Sequence, residues 1–98
     1  MAPEQHDGQP ADARSDQFAF CVALWEALFG RSPFSTADLA TLRAHKREGI
    51  LTPPNRPAMP RSIVAALRRG LAPAPADRHP DMAALLTTLE AAASGRRW

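Results

Sequence analysis

Residues 15–30, SDQFAFCVALWEALFG, decide the fold of this chain because they form its most apolar stretch. Within that stretch, large apolar side chains recur at the spacing of one helical face: Phe18, Cys21, Val22, Trp25, Leu28 and Phe29. Other apolar residues and alanines occupy the remaining directions, and a helix that is apolar on all sides is a buried one. We therefore predict a central helix over about 16–29, capped by Ser15 or Asp16 and ended by Gly30.

The segment after Pro33-Phe34 predicts a second, more solvated helix over about 36–48. Residues 35–38, Ser-Thr-Ala-Asp, resemble a capping box in which Asp replaces the preferred Glu. Leu39 and Leu42 are the only strongly apolar positions of this helix. Its last turn carries basic residues, which are favourable near the negative end of a helix, and Gly49 ends it.

Two further helices complete the predicted architecture. One begins at Pro60 or Arg61 and continues to Arg69, with Gly70 as its stop, and the last begins after an Asp81 cap. Their inner stripes are Ile63, Val64, Leu67 and Leu71 for the first, and Met82, Leu85, Leu86 and Leu89 for the last. No segment shows the alternation of a strand, so we predict an all-α fold of about four helices around one buried helix.

The connections between these helices are rich in proline. Residues 5–14 are polar and predict an exposed loop, whereas residues 52–60 carry four prolines and predict an extended connector. A ligand for a proline-binding domain is an alternative interpretation of that connector. Pro73 and Pro75 indicate a rigid loop before Arg78, and we predict a frayed tail over residues 94–98.

Composition narrows the classes of function. The 98 residues allow one small domain, and a net charge of +2 without an aromatic and basic stripe argues against nucleic-acid binding. The single cysteine, Cys21, fits a reducing cytoplasm, and the apolar run 18–29 is too short to cross a membrane. No histidine has a partner at metal-ligand spacing, and no glycine-rich phosphate loop occurs, so we predict neither a metal nor a nucleotide site.

Four short motifs point to a family when they are taken in order. They are Ala2-Pro3-Glu4, Asp16 at the head of the apolar helix, Gly30-Arg31-Ser32-Pro33-Phe34 at its end, and Leu71-x-x-x-Pro75-x-x-Arg78 before the last helix. In this order and spacing they resemble the large lobe of a bacterial eukaryotic-like serine/threonine protein kinase, from its Ala-Pro-Glu motif onward. The resemblance implies a partial kinase domain over residues 1–93, the distal helical part of a C-lobe whose complete fold is α+β.

The resemblance also assigns roles to individual residues. In the family, the glutamate matching Glu4 forms a buried pair with the arginine matching Arg78, an interaction suited to a planar guanidinium. The aspartate matching Asp16 accepts hydrogen bonds from the catalytic loop, although Asp16 could act here only as a helix cap. The helix carrying Leu39 and Leu42 corresponds to a docking surface for partners or substrates.

The parent family transfers the γ-phosphate of ATP to Ser or Thr hydroxyls with the help of Mg²⁺. The family's nucleotide-binding, metal-binding and catalytic residues precede its Ala-Pro-Glu motif, so we expect this chain to hold no cofactor and to be inactive alone. Met1 is then either the start of a kinase remnant or an internal residue of a longer kinase. Expected partners are the missing kinase half or a protein substrate, with self-association through the exposed central helix. A non-catalytic interaction module derived from a kinase is the alternative.

Overall fold

The computed structural model describes residues 2–34, 38–52 and 59–94 of the chain. Five α-helices and one short 3-10 helix follow each other along these ranges: α1 (Pro3–His6), α2 (Ala13–Phe29), α3 (Leu39–Glu48), α4 (Arg61–Gly70), the 3-10 helix (Pro75–Asp77) and α5 (Met82–Ser94). The described ranges contain no strand. The all-α prediction is therefore confirmed, with α1 as an additional short helix.

The central helix α2 begins earlier than its sequence suggested. Its N-cap is Asp12, whose Oδ1 accepts hydrogen bonds from the backbone N–H groups of Arg14 (2.9 Å) and Ser15 (3.0 Å). Ser15 Oγ in turn accepts from the Asp12 N–H at 2.7 Å, so Ser15 completes a capping box from inside the first turn. The prediction that Ser15 or Asp16 caps the helix was wrong, and the predicted loop over 5–14 is shortened at both ends.

The other helix ends agree in part with their sequence signals. Gly30 and Gly49 both adopt left-handed conformations, with φ of 75° and 70°, and terminate α2 and α3 as predicted. Asp81 Oδ1 accepts from the Ala84 N–H at 2.8 Å, which confirms the cap of the last helix. The cap of α3 is Asp38, which accepts from the Thr41 N–H at 2.7 Å, and this helix begins at Leu39.

Three parts of the sequence interpretation fall on residues that the structure does not describe. They are the proposed Ser35 start of the second helix, most of the proline-rich connector over 52–60, and nearly all of the tail over 94–98.

The core lies where α2, α4 and α5 meet. Its fully or almost fully buried members are Ala2, Phe18, Cys21, Trp25, Phe29, Phe34, Leu67, Leu71 and Leu85. Phe18 stacks on Phe34 with ring centroids 5.6 Å apart, and Trp25 meets Phe29 edge-on at 4.9 Å. Leu86, which the sequence placed on the inner stripe of the last helix, is instead 42% exposed. Successive residues of a helix point about 100° apart, and here only Leu85 is directed into the core.

One face of α2 is not covered by the described residues. Asp16, Ala19, Phe20, Ala23 and Ala27 recur at helical spacing, and all five are exposed. Phe20 retains 37% of its accessible surface. The helix is therefore buried on one side only, although its composition is apolar all round.

Gly70 has a packing role rather than the terminating role that its position suggested. It is the last residue of α4, whose C-cap is Leu71, and it is buried beneath α2. A Cβ atom at Gly70 would fall inside the contact distance of Cys21 Sγ. The absence of a side chain at residue 70 therefore allows α4 to approach α2 at the level of Cys21.

We expect Gly70→Ala to destabilise the chain by about 1–3 kcal/mol, the usual cost of overpacking a core. Cys21→Ala removes the Sγ atom that the new methyl group would strike. The double variant should therefore be more stable than the sum of the two single changes predicts, by about 0.5–3 kcal/mol. Urea unfolding followed by circular dichroism measures all three variants. Strict additivity would contradict the contact between these two helices.

Candidate functional site

Helix α1 brings the Ala-Pro-Glu segment onto the helical body. Ala2 and Pro3 are buried, and the Ala2 N–H donates to Gln5 Oε1 at 3.0 Å, which closes the first turn. Pro3 suits the first helical position because it has no N–H to satisfy and its φ is already helical. This short helix directs the side chain of Glu4 toward the loop that precedes α5.

Glu4 meets Arg78 in a bidentate ion pair. Arg78 Nη1 donates to Glu4 Oε2 at 2.7 Å, and Nη2 donates to Oε1 at 2.9 Å. The three remaining N–H groups of the guanidinium donate to backbone carbonyls of Arg14 (3.1 Å), Ala72 (2.8 Å) and Pro73 (3.2 Å). All five donors of Arg78 are thus satisfied, and one side chain connects α1, the first turn of α2 and the proline-rich loop.

The pair is shielded from solvent. The side chain of Arg78 is 0% exposed and that of Glu4 is 14% exposed. Burial by itself raises the pKa of Glu4, but hydrogen bonds and charge attraction from Arg78 outweigh it, and the pKa lies below its usual 4.5. The guanidinium also lies 4.8 Å from the centroid of the Phe18 ring, a distance typical of a cation–π contact.

A second buried polar contact joins α2 to the same loop and has no counterpart in the sequence analysis. Gln17 Nε2 donates to the backbone carbonyl of His79 at 3.0 Å, and Gln17 Oε1 accepts from the His79 N–H at 3.0 Å. The His79 ring lies 2.9 Å from the Ala66 carbonyl through Nε2, which connects the loop to α4. The only signal in the sequence is one amide side chain at a buried position of an apolar helix.

Asp16 lies away from the Glu4–Arg78 pair. It is exposed on the uncovered face of α2, and within the described residues its carboxylate accepts no hydrogen bond. Trp25 is a further unusual residue, since its indole Nε1 is buried without a hydrogen-bond partner in the part of the chain that the structure describes. We find no role for that nitrogen.

The proposed docking residues lie on α3, which packs mainly against α1. Leu39 is 56% exposed, whereas Leu42 is half-buried against the core. Arg47 forms an exposed ion pair with Asp7, just beyond α1, at 2.6 Å. The described residues contain no group of three acidic, histidine or cysteine side chains that could bind a metal, and none of their helices is long and apolar enough to cross a membrane.

Comparison with known proteins agrees with this geometry. The protein tyrosine and serine/threonine kinase family matches residues 1–89. The tyrosine-protein kinase MasK of Myxococcus xanthus is 44% identical over 93 residues, and the serine/threonine-protein kinase Pkn1 of the same species is 38% identical over 98. These alignments cover 92% and 94% of this chain. Serine/threonine-protein kinase PknE of Mycobacterium tuberculosis is 35% identical over 80 residues, or 81% of the chain.

The chain therefore belongs to the protein kinase family, and its fold is that of a helical C-lobe segment of the bacterial eukaryotic-like kind. It spans 14% of the length of each of these three relatives.

Replacement of Arg78 by Ala should cost about 3–5 kcal/mol, because it leaves the Glu4 carboxylate and three carbonyls without their donor. Arg78→Lys should recover only part of this loss, since an ammonium has three donors and no planar fork. Arg47→Ala is the matched control: it breaks an exposed pair and should cost about 0–1 kcal/mol. Chemical denaturation compares the three. Equal losses for Arg78→Ala and Arg47→Ala would show that burial does not strengthen the Glu4 pair.

The lowered pKa of Glu4 predicts a contribution to stability that depends on pH. Because the folded-state pKa is below 4.5, the contribution is present above pH 4.5 and is lost as the pH falls through the folded value. The difference in unfolding free energy between the parent chain and Glu4→Gln should therefore shrink on acidification. Asp12 and Asp38, whose pKa values are also lowered, are present in both chains, so their contributions cancel in this difference. A difference that is constant from pH 7 to pH 3 would contradict the prediction.

Proposed function

We propose that this chain is the distal C-lobe part of a serine/threonine protein kinase whose complete form transfers the γ-phosphate of ATP to protein hydroxyls in the cytoplasm. The family match and the names of the relatives, which include both serine/threonine and tyrosine kinases, support the kinase assignment. The choice of Ser and Thr rests on the larger share of relatives that carry this name and on the motif pattern. A single cysteine, buried and reduced, fits the cytoplasm.

The observation that carries the proposal is the five-donor environment of Arg78. Phosphoryl transfer depends almost entirely on positioning and electrostatic stabilisation, so the segment that arranges the substrate must be rigid. Ala2-Pro3-Glu4 corresponds to the end of that activation segment. By attaching Glu4 to Arg78, the chain supplies a fixed end for it, while the nucleotide, Mg²⁺ and catalytic groups belong to other parts of a kinase domain.

The exposed face of α2 supports a partner for this chain. Ala19, Phe20, Ala23 and Ala27 form an apolar stripe, with the carboxylate of Asp16 at its N-terminal end. Exposed apolar stripes of this kind mark interaction sites or cause association. We assign this face to the remaining half of the kinase domain. Without that half, the chain should self-associate through the same stripe.

A non-catalytic interaction module is the second candidate function. The supporting observation is the exposure of Leu39 at the start of α3, a helix that contacts the rest of the chain mainly through α1. Such a helix could bind a protein partner without any contribution to phosphoryl transfer. In this case the catalytic half would be unnecessary.

We expect the chain alone to show neither ATP–Mg²⁺ binding by calorimetry nor transfer of radiolabelled phosphate to a generic basic substrate. Addition of the upstream part of a bacterial relative's kinase domain, ending before its Ala-Pro-Glu motif, should give a stable complex. Phe20→Asp should prevent this complex, whereas Leu86→Asp on α5 is the matched control and should not. Saturable nucleotide binding by the chain alone, or complex formation by Phe20→Asp, would overturn the proposal.

A further inference from the structure

The junction between α1 and α3 contains a buried lysine whose neighbour is a histidine. Lys46 is only 6% exposed, and its Nζ lies 3.3 Å from Nε2 of His6. An ammonium has donors and no acceptor, so a charged Lys46 requires Nε2 to accept and the ring proton to reside on Nδ1. The contact therefore exists when His6 is neutral.

Uptake of a second proton at this contact would turn an attraction between Lys46 and His6 into a repulsion. With one of the two nitrogens protonated the pair carries one positive charge, and uptake of another proton places two cations 3.3 Å apart, whichever nitrogen was charged first. Protonation also converts Nε2 from an acceptor to a donor. The hydrogen bond is then replaced by repulsion around a lysine that is only 6% exposed.

The surrounding charges strengthen this response. Burial, followed by the positive charges of Lys46, Arg43 and Arg47, lowers the pKa of His6 below its usual 6.5. Burial also lowers the pKa of Lys46. The acid at the same junction, Asp7, is engaged by Arg47 at 2.6 Å, and Glu4 is engaged by Arg78, so both of these carboxylates already have a cationic partner.

We propose that His6 and Lys46 form a pH-sensitive contact that holds α3 against α1 near neutral pH and releases α3 on acidification. Among the described elements, α1 is the main packing partner of α3, although Leu42 also packs against the core and Arg47 is paired with Asp7. Loss of the His6 contact should therefore loosen α3 before the rest of the fold. The Glu4–Arg78 pair does not involve His6 and retains α1 on the helical body. Acidification therefore affects the two contacts of α1 differently. The contact of Glu4 with Arg78 remains, whereas the contact of His6 with α3 is lost.

The direction in which pH changes the docking of α3 follows from proton linkage. The folded state with α3 docked binds a proton at His6 less readily than the released state does. Docking is therefore strongest above pH 6.5 and weakens as the pH falls from there toward the lower docked-state pKa of His6, by at most about tenfold per pH unit for one proton. This inference concerns the attachment of α3 and does not depend on kinase activity or on a catalytic partner.

Amide hydrogen exchange of the full chain between pH 7.5 and pH 5 tests the proposal, with protection factors corrected for the intrinsic pH dependence. Amides of α3 should lose protection below pH 6.5, whereas amides of α5 should keep theirs. His6→Gln retains an acceptor for Lys46 and does not titrate, so α3 should stay protected throughout. His45→Gln, which removes the histidine of α3 itself, is the matched control and should behave like the parent chain.

A second measurement does not depend on the variants. The imidazole pKa of His6, followed by nuclear magnetic resonance, should be lower in buffer than in concentrated urea. Equal values, protection of α3 that does not change with pH, or a parallel loss of protection in α3 and α5 would each overturn the proposal. An unchanged transition in His6→Gln would assign the response to another group and would overturn it as well.

Discussion

The fold depends first on the neutralisation of one buried cation. Arg78 has no contact with solvent through its side chain, and a charge removed from water must be paired and hydrogen-bonded or the folded state is lost. Glu4 supplies the charge, and three backbone carbonyls supply the remaining acceptors. Glu4 and Arg14 are distant from Arg78 in sequence, whereas Ala72 and Pro73 belong to its own loop. The requirement of a single guanidinium therefore fixes the loop before α5, the first turn of α2 and the position of α1 relative to each other.

Around this interaction the chain builds a core on only one side of its central helix. The close approach of α4 at Gly70 and Cys21 and the aromatic contacts of Phe18 bury that side. The opposite side, which includes Phe20, remains exposed in the described structure. This one-sided cover of an apolar helix agrees with our proposal that the other neighbours of α2 belong to the rest of a kinase domain.

The two ends of α1 have different chemical characters, which explains how one short helix can serve two purposes. At Glu4 the contact pairs opposite charges, and it weakens only when the carboxylate is protonated at low pH. At His6 the contact places a neutral acceptor beside Lys46, and it weakens when the acceptor itself becomes a cation. Attachment of the Ala-Pro-Glu segment is therefore robust to mild acid, and the docking of α3 is the part of the structure that can respond to it.

Four of the five described α-helices, the stops at Gly30 and Gly49 and the family could be predicted from sequence, because apolar spacing, left-handed glycines and ordered motifs are local signals. The pairing of Glu4 with Arg78 was expected from the resemblance alone, as no local pattern relates residues 74 positions apart. Tertiary structure decided that Gly70 allows close packing of α4 on α2 and that Gln17 binds the backbone of His79. A glycine can end a helix or allow another helix to pack closely, and a buried amide can bind more than one backbone segment. The outcome depends on the distance to another element, and that distance is set only when the core assembles.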